Sequence, residues 1–280
     1  MSSILDFIGN TPMVKIGNNF FAKMEKFNPS GSVKDRPVSY MINSAIKSGK
    51  LTNDKIILDA TSGNTGISIA MISASLGYES VLVMPESMSL ERRKIIRAYG
   101  AKIVLVSGGM DNAIEKAKEL SEDKRYFYLD QFSNEYNVQS HYETTGKEIW
   151  EQTSGRITHL VVGIGSGGTI TGVAKFLKEK NSEIKIIGVE PRGIVQGLKD
   201  LSKNEKPKIL DFSGIYDVVL VTDKQANIKT KELAKMGLFV GQSSGAAYSV
   251  AKKILDGLVV VVFPDGGEKY LSTEMFNSSD

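Results

Sequence analysis

An α/β architecture of two units, each a mostly parallel twisted sheet flanked by helices, is what this chain predicts, on two observations. Short runs of aliphatic and β-branched residues alternate with longer runs of helical periodicity, the pattern of parallel strands joined by crossover helices. The alternation is also interrupted once, by a polar stretch from Phe132 to His141, and then resumes. In such a fold a ligand lies in a cleft bordered by the loops at strand carboxyl ends.

Asn10-Thr-Pro12 reads as a turn and Phe20 to Met24 as a short strand. Asn28-Pro-Ser-Gly-Ser-Val-Lys34-Asp-Arg36 is a loop of small residues running into an amphipathic helix marked by Val38, Met41, Ile42, Ala45 and Ile46. Strands are expected at Ile56 to Ala60, Ser80 to Met84 and Lys102 to Val106, with helices at Ile67 to Leu76, Leu90 to Tyr99 and Met110 to Ser121. Thr61-Ser-Gly63-Asn-Thr-Gly66 breaks the first of these strands from its helix. After the polar seam come helix Thr145 to Gln152, strand His159 to Val162, helix Thr169 to Lys180 and strand Lys185 to Val189. An irregular stretch, Arg192 to Ile215, precedes strand Asp217 to Val221, helices Ala226 to Met236 and Gly245 to Leu255, and strand Val259 to Phe263.

Composition excludes several functions. The chain has 280 residues, 41% hydrophobic and 24% charged, with a formal net charge of +3, which is an ordinary globular balance without a nucleic-acid or polybasic membrane surface. There is no cysteine, so neither disulfides nor thiolate nucleophiles are available, and with only His141 and His159 a histidine-rich metal site is not expected. The first residues carry no basic segment before a long apolar core, and the apolar run Leu258 to Phe263 is too short to span a bilayer. A cytoplasmic protein is the default expectation.

Two stretches carry chemistry. Lys34 falls at a helix N-terminus beside apolar surface, where both the helix dipole and desolvation disfavour a protonated amine; a neutral lysine can hold an aldehyde as a Schiff base. The plainer alternative is a surface lysine opening a helix. Gly163-Ile-Gly165-Ser-Gly167-Gly168 follows a strand and opens a helix, satisfying the dinucleotide pattern with Glu190 as the acid for a ribose. Bare amides at a helix N-terminus hold any phosphate, however, and the extra glycine with Thr169 suits a single phosphate monoester equally well. A tight turn without a ligand is the third option.

Four motifs in order then resemble the cysteine synthase and cystathionine β-synthase family of fold-type II pyridoxal 5′-phosphate (PLP) enzymes. Pro29 to Arg36 looks like the cofactor-lysine segment, Thr61 to Gly66 the substrate-carboxylate loop, Gly165 to Thr169 the phosphate loop, and Gly241-Gln-Ser243-Ser-Gly-Ala246 the segment facing the pyridine nitrogen. Ile8 to Pro12, His141 to Gly146 and Gly267 to Thr273 extend the likeness from about residue 8 to about residue 273.

The resemblance implies a tryptophan synthase β-subunit-like fold with the cofactor between a small mobile substrate-binding domain, 38–139, and a larger domain, 1–37 with 140–280. It implies that Lys34 forms the Schiff base with PLP, that Gly165, Ser166, Gly167, Gly168 and Thr169 hold its phosphate, Asn64 its ring 3′-oxygen and Ser243 its ring nitrogen. Thr61, Ser62, Asn64, Thr65 and Gln131 would take the substrate α-carboxylate. The implied reaction is β-replacement, making L-cysteine from O-acetyl-L-serine and sulfide through α-aminoacrylate, with Lys34 as general base. Homodimers are usual in the family, and a serine acetyltransferase tail is a possible partner.

Departures keep other readings open. Ser166 stands where many relatives have threonine, which conserves the hydroxyl. Gly266 and Gly267 occupy a place where serine commonly precedes Gly-Glu, leaving Ser243, alternatively a helix N-cap, as the nitrogen's partner. The compact segment Glu190 to Leu201 is similar to the cysteine synthase B group, in which some members that take O-phosphoserine carry a base near Lys199; the alternative is a solvated lysine beside Asp200. Cystathionine synthesis and a cysteine-consuming lyase that releases sulfide or makes lanthionine share the same chemistry, with Gln196 or Met88 among the side chains that would decide. A dinucleotide oxidoreductase and a cofactor-bearing scaffold are the readings from other classes.

Overall fold

The computed structural model describes residues 2–277, and its strands form two sheets. The larger has the order β1-β2-β10-β7-β8-β9, from strands Met13–Lys15 (β1), Phe20–Met24 (β2), His159–Gly163 (β7), Lys185–Arg192 (β8), Asp217–Thr222 (β9) and Val259–Phe263 (β10). The smaller has the order β5-β4-β3-β6, from Ile56–Ala60 (β3), Ser80–Pro85 (β4), Lys102–Val106 (β5) and Tyr126–Tyr128 (β6). Every pairing is parallel except that of β1 with β2.

The central strands are buried on both faces, which is why they read as unbroken aliphatic runs: all five residues of β10 and all six of β4 are buried. Helices cover both sides. Asp35–Lys47 (α1), Asn64–Leu76 (α2), Leu90–Ala98 (α3) and Met110–Leu120 (α4) accompany the small sheet, and Gly168–Lys180 (α7), Asp223–Lys235 (α8) and Gln242–Ala251 (α9) the large one. Val161, Val259 and Val261 belong to the core on one face of the large sheet, Leu160, Val260 and Val262 to that on the other, as strand alternation requires.

The polar stretch read as an irregular seam contains a helix, Glu135–His141 (α5). It continues through a π-helical turn, Tyr142–Gly146, into Lys147–Gln152 (α6), where a single helix from Thr145 was expected. Asn134 caps α5 by accepting from the Tyr136 amide, and the buried Asn137 Nδ2, Ser140 hydroxyl and His141 ring pair with protein groups, while Asn137 Oδ1 has no hydrogen-bond partner among the described residues. Two short strands, β1 and β6, were not anticipated; three residues give too little periodicity to register. The last helix of the glycine-serine segment opens at Gln242, so its N-cap is Gly241 and Ser243 lies inside the first turn, which removes the N-cap alternative for that serine.

Candidate active site

A cavity of about 470 Å³ opens where strand carboxyl ends of both sheets converge. Lys34, Ser62, Asn64, Thr65, Gln131, Gly165, Ser166, Gly167, Thr169 and Ser243 all contribute to its wall, together with Met88, Arg92, Gln196 and Lys199.

Lys34 is the N-cap of α1 and looks into this cavity from otherwise packed surroundings. Burial draws its amine down to about 8, against an opposing pull from Asp59. Its Nζ donates to Ser166 Oγ at 3.1 Å. Lys34 is therefore no surface lysine, and its amine sits against the loop read as phosphate-binding.

The loop follows β7 and opens α7, with Gly167 as N-cap at φ +89°, a conformation that costs any residue with a Cβ roughly 1–2 kcal/mol. At Gly165 a Cβ would come within 2.6 Å of the Gly197 carbonyl oxygen. Gly168 lies behind the wall as the first residue of the helix, while Thr169 reaches the cavity and its Oγ1 lies 3.1 Å from His141 Nε2. Glu190, the acid sought for a ribose, instead accepts the Leu201 amide at 2.8 Å. The loop is thus built for an anion at a helix end, without the acid partner that a dinucleotide would use.

Opposite stands the N-terminus of α2, where Asn64 and Thr65 open the helix three residues before the predicted start, so this end too can receive an anion. Thr61 stands behind it and holds the turn, its Oγ1 accepting the amides of Gly63 and Gly66 at 3.0 Å. Thr65 donates to Gln131 Oε1 at 2.7 Å, and Gln131 Nε2 donates to the Ala60 carbonyl at 2.9 Å, so the glutamine is fixed beside the loop. Ser62 and Asn64 remain partly open to the cavity.

The residues fit PLP. Its aldehyde and phosphate arm branch from neighbouring ring carbons, so their anchors must lie close together, as Lys34 and Ser166 do. Ser243 is buried on the cavity wall, and its hydroxyl has no hydrogen-bond partner among the described residues, leaving it free for a ring nitrogen. Asn64 has one amide hydrogen on Asp265 Oδ2 at 2.7 Å and a second to spare for a ring oxygen.

Several supporting residues were not singled out by the sequence. Asp265 accepts from both Asn64 and the Tyr270 hydroxyl, the latter at 2.6 Å. Lys269 donates to Asn64 Oδ1 at 3.3 Å and to the Ser30 and Gly31 carbonyls. Together they set which way the Asn64 amide faces. Arg92, packed over the Tyr270 ring at 4.7 Å, donates to Gln196 Oε1 at 2.6 Å and so links the two sheets' loops across the cavity. The only available signal for Lys269 was its place in the segment Gly267 to Thr273, and Asp265 lies just before that segment. Lys199 is not the solvated partner of Asp200: its Nζ lies 5.3 Å from the Phe132 ring centroid on the cavity wall, while Asp200 is 3.8 Å from Lys203.

Comparison with known proteins follows the geometry. Residues 4–265 match the family model described as pyridoxal-phosphate dependent enzyme. The chain is 45% identical to cysteine synthase of Aquifex aeolicus, over 99% of this chain and 93% of that one. It is 42% identical to cysteine synthase B of Escherichia coli, over 99% and 96% respectively. Among solved structures, an O-ureido-L-serine synthase superposes with a TM-score of 0.94 at 38% identity, covering all of this chain and 96% of the other.

Proposed function

The chain belongs to the family of pyridoxal-phosphate dependent enzymes, and from that premise we propose that it is a cysteine synthase, replacing the acetoxy group of O-acetyl-L-serine by sulfide to give L-cysteine. The observation that carries the reading is the meeting of Lys34 Nζ with the phosphate loop at Ser166, inside a cavity whose far side is the N-terminus of α2. When bound, PLP supplies an electron sink that lets the bonds to hydrogen at Cα and to the leaving group at Cβ break in turn.

The protein's share is positional and electrostatic. Lys34 would hold the cofactor at Nζ, the amides and hydroxyls of 165–169 its phosphate, Asn64 its ring oxygen and Ser243 its ring nitrogen. A neutral serine hydroxyl at that nitrogen leaves it unprotonated, so a negative charge at Cα is only moderately stabilised and departure of the Cβ group should follow proton removal closely. Ser62, Asn64, Thr65 and Gln131 receive the substrate α-carboxylate at the α2 N-terminus, with Thr61 bracing the turn. Lys34 would also take the α-proton at Nζ, and burial, which draws its amine down to about 8, leaves that group partly neutral at physiological pH and suited to the task.

In this proposal 38–139 is the mobile substrate-side domain and 1–37 with 140–280 the larger one. Movement between them shuts water away from the reacting atoms, and the Arg92–Gln196 hydrogen bond spans that boundary. The assignment of β1 and β2 to the same sheet as β7 to β10 supports the division. A homodimer in the cytoplasm, with a serine acetyltransferase tail as a partner, completes the proposal; no described helix is long and apolar enough to cross a membrane.

One observation favours a second substrate. Lys199 lies on the cavity wall and has no salt bridge among the described residues, so its ammonium is placed for the phosphate of O-phosphoserine. The test is a turnover assay with sulfide and O-acetylserine, O-phosphoserine, serine or cysteine in turn, measuring cysteine and the departing group. Cysteine formation from O-acetylserine at enzyme-like turnover, abolished by Lys34→Ala, is expected. Activity retained in that variant, or none with either activated serine, contradicts the proposal.

A further inference from the structure

Thr169 can donate to a phosphate only if its single hydroxyl hydrogen is not already committed elsewhere. Its Oγ1 has one hydrogen-bond partner among the described residues, His141 Nε2 at 3.1 Å. On the other side of the ring, Nδ1 lies 2.9 Å from Thr145 Oγ1, which has no other hydrogen-bond partner among the described residues. The π-helical turn after α5 carries Thr145, and both His141 and Thr145 are fully buried.

The imidazole is neutral here: burial first, then the positive charges of Arg36 and Lys34, push its pKa far down, outweighing Glu148. A neutral ring has one donor and one acceptor, so only two arrangements exist. With the proton on Nδ1, the ring donates to Thr145, whose buried hydrogen is then stranded without an acceptor, and Nε2 draws the Thr169 hydrogen away from the cavity. With the proton on Nε2, Thr145 donates to Nδ1, the ring donates to Thr169, and the Thr169 hydrogen is free to face the cavity. Only the second leaves no polar atom of Thr145 and His141 without a partner, and a stranded buried donor is costly.

We infer that His141 is a positioning residue for the anion site: fixed by Thr145 as the Nε2–H tautomer, it occupies the acceptor side of the Thr169 hydroxyl and turns its hydrogen toward the cofactor phosphate. The inference rests on the reading that a phosphate occupies the 165–169 loop. Thr145, His141 and Thr169 then form a one-way relay of hydrogen bonds ending on the ligand.

Nitrogen-15 spectra of histidine-labelled holoenzyme test the tautomer directly. Correlations showing the proton of His141 on Nε2 are expected, and a proton on Nδ1 overturns the inference. PLP affinity of the apoenzyme gives the second measurement. His141→Leu removes the donor and should weaken PLP binding by roughly tenfold or more, the loss of one charge-assisted contact, while His141→Gln, which keeps an N–H near the same place, should stay within about threefold of wild type. Equal losses in both variants, or no loss in either, contradict the positioning role. If the wild-type chain binds no PLP at all, the functional reading falls and takes the inference with it, whereas PLP bound with the proton on Nδ1 removes only the inference.

Discussion

Lys34 shows how much chemistry one residue's surroundings can dictate. Its folded-state pKa of about 8 lies below the 10.5 of a free side chain, so between those values the unfolded chain binds more protons than the folded one. Stability of the cofactor-free protein therefore rises as pH increases through that window, by at most about 3 kcal/mol from this group, and the cost of burying the charged amine is greatest below it. The difference in unfolding free energy between wild type and Lys34→Met should change with pH from 8 to 10.5 in that sense, measured by denaturant titration; a constant difference would show that the amine is not desolvated. Lys199 makes a separate prediction at the same scale. Lys199→Ala should lower the ratio of kcat/KM for O-phosphoserine to that for O-acetylserine about tenfold, the worth of one contact to a charged group. An unchanged ratio removes Lys199 from substrate choice. Lys34 was legible in the sequence because small turn residues precede it and an amphipathic run follows. The cavity position of Lys199 was not, because which side of an irregular segment faces inward depends on residues distant in sequence, here Phe132.

Among the elements, the helix N-termini do most to define the site, and their loops were the most legible feature of the chain. Glycines in a run between a strand and a helix announce both the turn and the exposed amides, and α7 begins within a residue of its expected start. Gly167→Ala should destabilise the protein by roughly 1–2 kcal/mol and weaken PLP binding, since a Cβ there is held at φ +89° and would lie 2.7 Å from Leu210 Cβ. Thermal unfolding and PLP titration check this; a neutral substitution would mean that the loop is free to relax. The helix α5 escaped notice for the opposite reason. The buried Asn137 Nδ2, Ser140 hydroxyl and His141 ring find their partners only in the folded protein, and from sequence alone polarity looks like exposure. Arg36, two residues beyond the lysine, fixes the start of α1 through Glu25 at 2.7 Å and Glu148 at 2.6 Å, with Lys23 also on Glu148 at 2.6 Å. Burial by itself would raise the Glu25 carboxyl, yet the Arg36 guanidinium beside it brings the balance below the ordinary value. Arg36→Met would leave the buried Glu25 carboxylate without its cation and Glu148 with Lys23 alone, and should cost about 3–5 kcal/mol in denaturant unfolding; a cost under about 1 kcal/mol would show the cluster to be loose.

At the scale of the whole molecule, the alternation of strands and helices predicted parallel sheets, and the structure has them, but the order of strands within each sheet was not available from the pattern. Sheet order is decided by which apolar faces meet, and β2 lies beside β10, whose residue Val259 pairs with Phe20 from the far end of the chain. That pairing is what brings the Lys34 loop, which follows β2, to the mouth formed by β7 and β10. The long separation of these contacts places the cofactor at a junction of segments from the entire sequence. Saturating PLP should accordingly stabilise the chain as a unit, by about 2.7 kcal/mol at a hundredfold excess over its Kd, with near- and far-ultraviolet signals shifting together. Stabilisation of one signal alone would mean that the cofactor engages only one sheet. The central claim, however, concerns a single covalent position. Holoenzyme reduced with borohydride, digested and sequenced by mass spectrometry should carry the phosphopyridoxyl group on the amine of Lys34 and on no other lysine; a label at another residue, or no label on a protein that had bound the cofactor, would contradict the account.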